Sequence, residues 1–263
     1  MPGRARPESE KMQYIEEKNL YRFTIIGPET DIHDRLHYHC LFAMLQEAAC
    51  LDAERHGFGS AEMDELSACW LLLRMKVSME KIPKWKDKIY IRTWSQGFER
   101  LFFNREFDIF DQDENLIGTA TSVWVIAHQG DHHPVRPTSI PGMEVFNCTT
   151  PSTRKAGKIA PIPEEKRADL TKFTRYADYS EIDRNMHVNN TRYIAWSEDC
   201  AYTLIDHADP ITELTINYAS EVHPGEEVQL YCCPVEDKVI VDGIEAQSGR
   251  HVFTTEIIGR KTT

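Results

Sequence analysis

The chain is written twice, which restricts it to folds that two similar halves can build together. Around Asp34 it reads DRLHYHCLFAMLQEA, and around Asp183 it reads DRNMHVNNTRYIAWSED. Setting His37 on His187 asks for one extra residue in the second copy. Farther on, VSMEKIPKWKDKIYI from Val77 falls on YASEVHPGEEVQLYC from Tyr218, which sets Glu80 on Glu221 and Pro83 on Pro224. GTATSVWVI from Gly118 then falls on VFTTEIIGR from Val252. Each block is weak alone; matched in one order, they point to duplication.

Both copies predict the same elements. A short strand (Tyr21–Ile26; Phe173–Tyr176) is followed by a polar loop and one helix. The first helix is expected over Cys40–His56, with Leu41, Met44, Leu45 and Ala48 at helical spacing and Gly57 as a C-cap. The second, Asn190–Ile205, stripes Tyr193, Trp196, Cys200 and Leu204 on one face and Ile194, Ala201 and Ile205 on another, so it reads as enclosed. Strands are predicted over Ala68–Val77, Lys88–Gln96, Leu101–Asp111 and Leu116–His128, then over Ile211–Ala219, Glu227–Val235, Lys238–Gln247 and His251–Arg260. Turn signals separate the last pair in each copy, as antiparallel hairpins require. Six prolines between residues 129 and 170 mark a connector, because proline cannot donate to a sheet ladder. A long helix followed by a curved antiparallel sheet, repeated, outlines an α+β tandem (double) hot-dog fold. Its expected parts are residues 18–130, a proline-rich linker over 131–170, and residues 171–263.

Composition narrows the function. The chain is 41% hydrophobic and 27% charged, which excludes a disordered polymer. Thirty Lys and Arg against 42 Asp and Glu leave a net charge of −12, the wrong sign for a general nucleic-acid or anionic-membrane binder. Apolar runs such as Ala68–Leu73 fall far short of the roughly 20 residues a membrane helix needs, so no membrane insertion is expected. The N-terminal stretch lacks an apolar core of the secretory kind and is too acidic for a transit peptide. Seven cysteines (Cys40, Cys50, Cys69, Cys148, Cys200, Cys232, Cys233), without C-x-x-C spacing, read as free thiols of a cytoplasmic protein.

The densest chemistry is Asp183-Arg184-Asn185-Met186-His187-Val188-Asn189-Asn190, just before the second helix. Asn189 or Asn190 suits an N-cap, but capping does not explain an acid, an amide and an imidazole at alternate positions. In an extended approach to the helix, Asp183, Asn185 and His187 share a side, with helix amides just beyond. The pattern D-x-N-x-H-V-N-N resembles that of the acyl-acyl-carrier-protein (acyl-ACP) thioesterases of bacteria and plant plastids. The likeness extends to Tyr193, Trp196, the Glu221 region and the stretch Arg74–Trp94. It implies hydrolysis of fatty acyl-ACP to free fatty acid, without cofactors, with Asp183, Asn185, His187 and Glu221 as the catalytic set. The plant enzymes carry a cysteine after the glutamate; here Val222 stands there, which excludes a thiolate nucleophile at this position, and the remaining groups suit hydrolysis by water. Whether Asp183 is the base or attacks covalently with Glu221 in support, and whether Asp183 or Glu221 is the base, stays open in the sequence.

By the alignment above, the first copy keeps Asp34, His37 and Glu80, has Leu36 in place of Asn185, and has His39 and Cys40 in place of Asn189 and Asn190. As the resemblance implies for this half, it is expected to hold the acyl chain instead, lined by Met44, Ala48, Trp70, Leu72 and Phe103, with Asn189 and Asn190 also expected to bind substrate. The histidines His33, His37 and His39, and His128, His132 and His133, show no ligand spacing with a companion Cys or Asp, so no metal is expected. Over Arg74–Arg92 seven cations face two carboxylates, and over Arg154–Arg175 seven face three, patches of +5 and +4 suited to an acidic carrier. Two other readings fit the same residues: an acyl-coenzyme A thioesterase, and a non-catalytic acyl-binding hot dog. Monomer and homodimer are both compatible.

Overall fold

A computed structural model describes residues 19–147, 151–204 and 210–259. Cys148, Ile205 and Arg260, and the parts of the expectations that fall on them, lie outside those residues. Ten strands form one antiparallel sheet: β1 Leu20–Thr24, β2 Ala68–Met79, β3 Lys88–Glu99, β4 Phe102–Phe110, β5 Leu116–His128, β6 Thr171–Tyr176, β7 Ile211–Tyr218, β8 Glu227–Val235, β9 Lys238–Glu245 and β10 His251–Gly259. The spatial order is β1-β3-β4-β5-β2-β7-β10-β9-β8-β6. Read inward from either edge, each half shows the same succession, so the duplication is written into the sheet. The halves join where β2 meets β7. Lys76 faces Thr215 there, flanked by Met75–Ile216 and Val77–Leu214, and a local two-fold passes through the joint.

The register of the repeat differs from the one read by letter matching. Asp31 N donates to Arg35 O, Leu36 N to Pro83 O, and His37 N to Glu29 O. In the second copy Asp183 N donates to His187 O, Val188 N to Val222 O, and Asn189 N to Glu181 O. Asp31 therefore takes the place of Asp183, Arg35 that of His187 and His37 that of Asn189, with no insertion between the copies. Likewise Glu80 and Lys81 N donate to Ile117 O, as Ala219 and Ser220 N donate to Val252 O. Ile82, not Glu80, is thus the counterpart of Glu221, and Ile117, not Gly118, that of Val252. Matched charged letters misled the alignment; ladder register obeys hydrogen bonds and facing, and a slip of one residue turns every side chain to the other face.

Three helices interrupt the strands: α1 Tyr38–Arg55, α2 Ser60–Glu65 and α3 Asn190–Tyr202. α2, a single short turn, carries no periodicity to announce it. α1 and α3 pack on each other against one face of the sheet, inside a core that draws on both halves (Leu45, Ala48, Val77, Ile91, Phe107 with Ile194, Trp196, Leu214, Leu230 and Phe253). Bulges at Leu72/Arg74, Ser95/Phe98 and His251/Phe253 bend the strands around these helices. α1 has no side-chain cap of its own; Glu198 on α3 supplies it, accepting from Tyr38 N at 2.7 Å and His39 N at 3.0 Å.

The described connector residues hold 3-10 turns; Ile140, Met143 and Phe146 pack on the helix side with Ala53 and Phe103, and residues 154–162 cross the opposite face of the sheet. Arg154 reaches Asp108 at 2.7 Å, Ile159 N donates to Asn217 at 2.8 Å, and Ile162 N donates to Asp242 at 2.6 Å. Buried carboxylates on β4 and β9 find their partners in this strap, without which their burial would be costly. Among the described residues, no helix is long and apolar enough to cross a membrane.

Candidate active site

Asp183 to Val188 form a closed turn, not the extended approach expected from alternation. Asp183 N donates to His187 O at 2.9 Å, Met186 N donates to Asp183 O at 3.0 Å, and Ile182 bridges Val188. Met186 takes φ +64°, as does Asp34 in the first copy. Asp183 builds the turn: Oδ1 accepts from Asn185 N at 2.8 Å, and Oδ2 from Asn189 Nδ2 at 3.4 Å. Asn189 is the N-cap of α3, accepting from Thr191 N at 3.0 Å and Thr191 Oγ1 at 2.7 Å. Asn190 opens the helix, and Asn185 stands exposed at the tip of the turn.

A second segment meets this turn. Val188 N donates to Val222 O at 2.9 Å, which brings Glu221 alongside. Arg250 fixes the segment from behind, donating to the Glu221 carbonyl, to Ser220 Oγ at 3.0 Å and to Glu226 Oε2 at 2.8 Å. Glu221 Oε2 then lies 3.3 Å from His187 Nε2 and 3.2 Å from His132 Nδ1. The ring of His223 stands edge-on to His187 with centroids 4.7 Å apart. The structure thus joins His187 to Glu221 across the two segments, and Asp183 to Asn185 within the turn. His132 lies in the proline-rich connector, where no spacing in the sequence ties it to Glu221.

The N-terminal half walls the site. Arg184 lies 3.4 Å from Asp64 on α2. Burial pushes the half-buried Cys69 thiol on β2 up, and the Glu221 charge adds to the shift, away from thiolate chemistry. Beneath α1 a small cavity of ≈ 50 Å³ opens, lined by Ala49, Cys50, Ala53, Trp70, Phe103 and Phe146, with Arg105 among its few polar neighbours. Trp70 and Phe103 were expected there. Met44, Ala48 and Leu72 are instead buried in the main core, because α1 turns Ala49 and Ala53 toward the cavity.

The first copy's counterpart of the site is a wider cleft of ≈ 400 Å³. Its size exceeds that of the cavity under α1, but its chemistry differs. Arg35 Nε is bound to Asp31 Oδ2 at 2.9 Å where the second copy has His187 beside Asp183, and Ile82 removes the carboxylate of Glu221. His37, His39 and Glu198 meet at its edge with donor atoms within 4.8 Å of one another, a set able to hold a metal. Hydrogen bonds account for the cluster without one: His39 Nδ1 lies 2.7 Å from Glu198 Oε2, and both Glu198 oxygens cap α1.

Two hot-dog halves sharing one sheet, the second carrying an acid–amide–imidazole turn, define a double hot-dog protein. Residues 17–139 match the N-terminal domain, and residues 165–259 the C-terminal domain, of acyl-ACP thioesterases. The chain belongs to the acyl-ACP thioesterase family. It is 28% identical over 226 residues to the chloroplastic oleoyl-acyl carrier protein thioesterase 2 of Arabidopsis thaliana, covering 79% of this chain and 60% of that one. The chloroplastic oleoyl-acyl carrier protein thioesterase of Coriandrum sativum is 26% identical over 233 residues, covering 81% of this chain and 62% of that one. The chain therefore spans less than two thirds of these relatives' length. An acyl-ACP thioesterase crystal structure from Bacteroides thetaiotaomicron superposes with TM-score 0.82 at 26% identity, covering 93% of this chain and 99% of that one. The 12:0-ACP thioesterase of Umbellularia californica shares the fold, with TM-score 0.79 at 19% identity, covering 92% of this chain and 97% of that one.

Proposed function

We propose that this chain hydrolyses the thioester of fatty acyl-ACP, releasing free fatty acid and carrier, by carboxylate-assisted attack of water. The observation that carries the reading is the contact between the His187 imidazole and the Glu221 carboxylate beside the start of α3. Glu221 takes the proton from water. Asp183, with both oxygens engaged inside the turn, positions Asn185 instead of acting as the base. The Asn185 amide and the first backbone amide of α3 polarise the thioester carbonyl, where charge develops. Residues 171–263 supply the chemistry and residues 18–130 hold the acyl chain in the cavity beneath α1.

An acidic carrier needs a basic landing surface, and pairing trims the one counted in sequence. Lys76 binds Glu213, Lys81 binds Asp111, Arg92 and Arg154 bind Asp108, and Arg175 binds Asp199. Lys155, Lys158 and Lys166 stand exposed on the connector and form the steering surface in this reading. Free thiols at Cys40, Cys50, Cys69, Cys200, Cys232 and Cys233 support a cytoplasmic setting.

The test is hydrolysis of acyl-ACPs of graded chain length beside the matching acyl-CoAs. Glu221→Gln should lower kcat by roughly 10²–10⁴, the usual share of a general base, with an unchanged melting temperature. Turnover of acyl-CoA alone would move the substrate to coenzyme A, and tight acyl binding without turnover would leave a non-catalytic binder.

A further inference from the structure

His132 comes from outside both stretches that build the site. It sits just past β5, in a turn of the N-terminal half that closes on itself: His128 N donates to His133 O at 3.0 Å, and His132 N donates to His128 O at 3.0 Å. Asp131 braces the far side, its Oδ1 accepting from His133 N at 3.0 Å. Gln129 anchors the turn to the body of that half through Asp64 Oδ1 at 2.6 Å and Ala68 O at 3.2 Å. Within the turn His132 holds φ +55°, in the left-handed region that most non-glycine residues avoid. The result is an imidazole delivered to Glu221 Oε2 at 3.2 Å, on the same oxygen that His187 approaches at 3.3 Å.

We infer that His132 is a positioning residue for the reaction, fixing the Glu221 carboxylate from the N-terminal half while His187 fixes it from the C-terminal half. This rests on the assignment of Glu221 as the base. Two imidazoles on one oxygen hold Oε2 in place from two sides and leave Oε1 for the proton of the attacking water. A carboxylate held from one side alone swings about its side-chain torsions, and displacement of about 1 Å at a reacting group can cost on the order of a hundredfold in rate. The arrangement also makes catalysis sensitive to how the two halves sit together, because the base is gripped by both.

The variants follow from the backbone. His132→Gly removes the imidazole and accepts the positive φ, and His132→Asn keeps an N–H donor near the Nδ1 position while tolerating the same backbone. In acyl-ACP hydrolysis by the whole chain, His132→Gly is expected to lose about tenfold to a hundredfold in kcat with KM within about twofold. His132→Asn should recover most of that loss. In a Glu221→Gln background, His132→Gly should have no further effect, since its partner is gone. Unchanged kcat in His132→Gly, a rise in KM alone (a carrier contact), or an equal loss in the Glu221→Gln background would each overturn the inference while Glu221 stays the base. Wild-type turnover by Glu221→Gln itself would overturn both assignments together.

Discussion

Glu198 ties one helix to the other through bonds that depend on its charge. Burial alone would push its carboxyl up; hydrogen bonds from His37 and His39, with the His39 charge and backbone amide, hold it at about 2. The same contact raises His37 above its ordinary value. The signs give a window. A depressed carboxyl contributes stability above its unfolded value near 4.5, lost as pH falls through about 2. A raised histidine contributes below its unfolded value near 6.5, lost as pH climbs past its folded one. Both act fully between those unfolded values. Glu198→Gln should therefore cost on the order of 2 kcal/mol near pH 5.5, and the difference should shrink toward pH 2 in urea unfolding. A gap that stays constant down to pH 2 would show that the charge is irrelevant.

At the scale of the element, α1 serves two masters. Leu41, Leu45 and Ala48 seal the common core, while Ala49, Cys50 and Ala53 face the cavity lined by Trp70, Phe103 and Phe146. Small residues on that second face keep the space open. Ala53→Phe should fill it and shift acyl-ACP preference toward shorter chains, each excluded methylene forfeiting roughly 0.8 kcal/mol of burial. Ala48→Phe, aimed at the core, should destabilise the protein instead. A chain-length profile left unchanged by Ala53→Phe in folded protein would place the acyl group elsewhere.

For the whole molecule, the β2–β7 joint decides the cooperativity. Five residue pairs, Arg74–Asn217 through Ser78–Glu213, carry the sheet across the halves, and α1 packs directly on α3. The larger buried cluster takes residues from both halves, while a smaller one around Phe58, Met63, Phe103 and Phe146 belongs to the N-terminal half. Unfolding should be a single transition, with calorimetric and van't Hoff enthalpies in agreement. Two resolved transitions would mean that the halves are independent domains joined by a strap.

Periodicity alone determined most of the elements. Alternation marks β3 and β8, where Ile89 and Ile91 answer Val228 and Leu230, and helical spacing marks α1 and α3 to within a few residues. These signals are local, carried by which side chains must face away from water. The dense turn Asp183–Asn190 likewise announced itself, because so many polar groups before an apolar helix exceed what capping requires. Tertiary structure decided the rest. The true mates Asp31 and Asp183, or Ile82 and Glu221, are fixed by hydrogen bonds between distant segments, and letter similarity carries no such information. His132 and Glu221 are far apart in the chain, and only the joined sheet, with the turn after β5 folded against β2, brings them within 3.2 Å. Contacts of that kind arise from long-range closure, which no window of sequence contains.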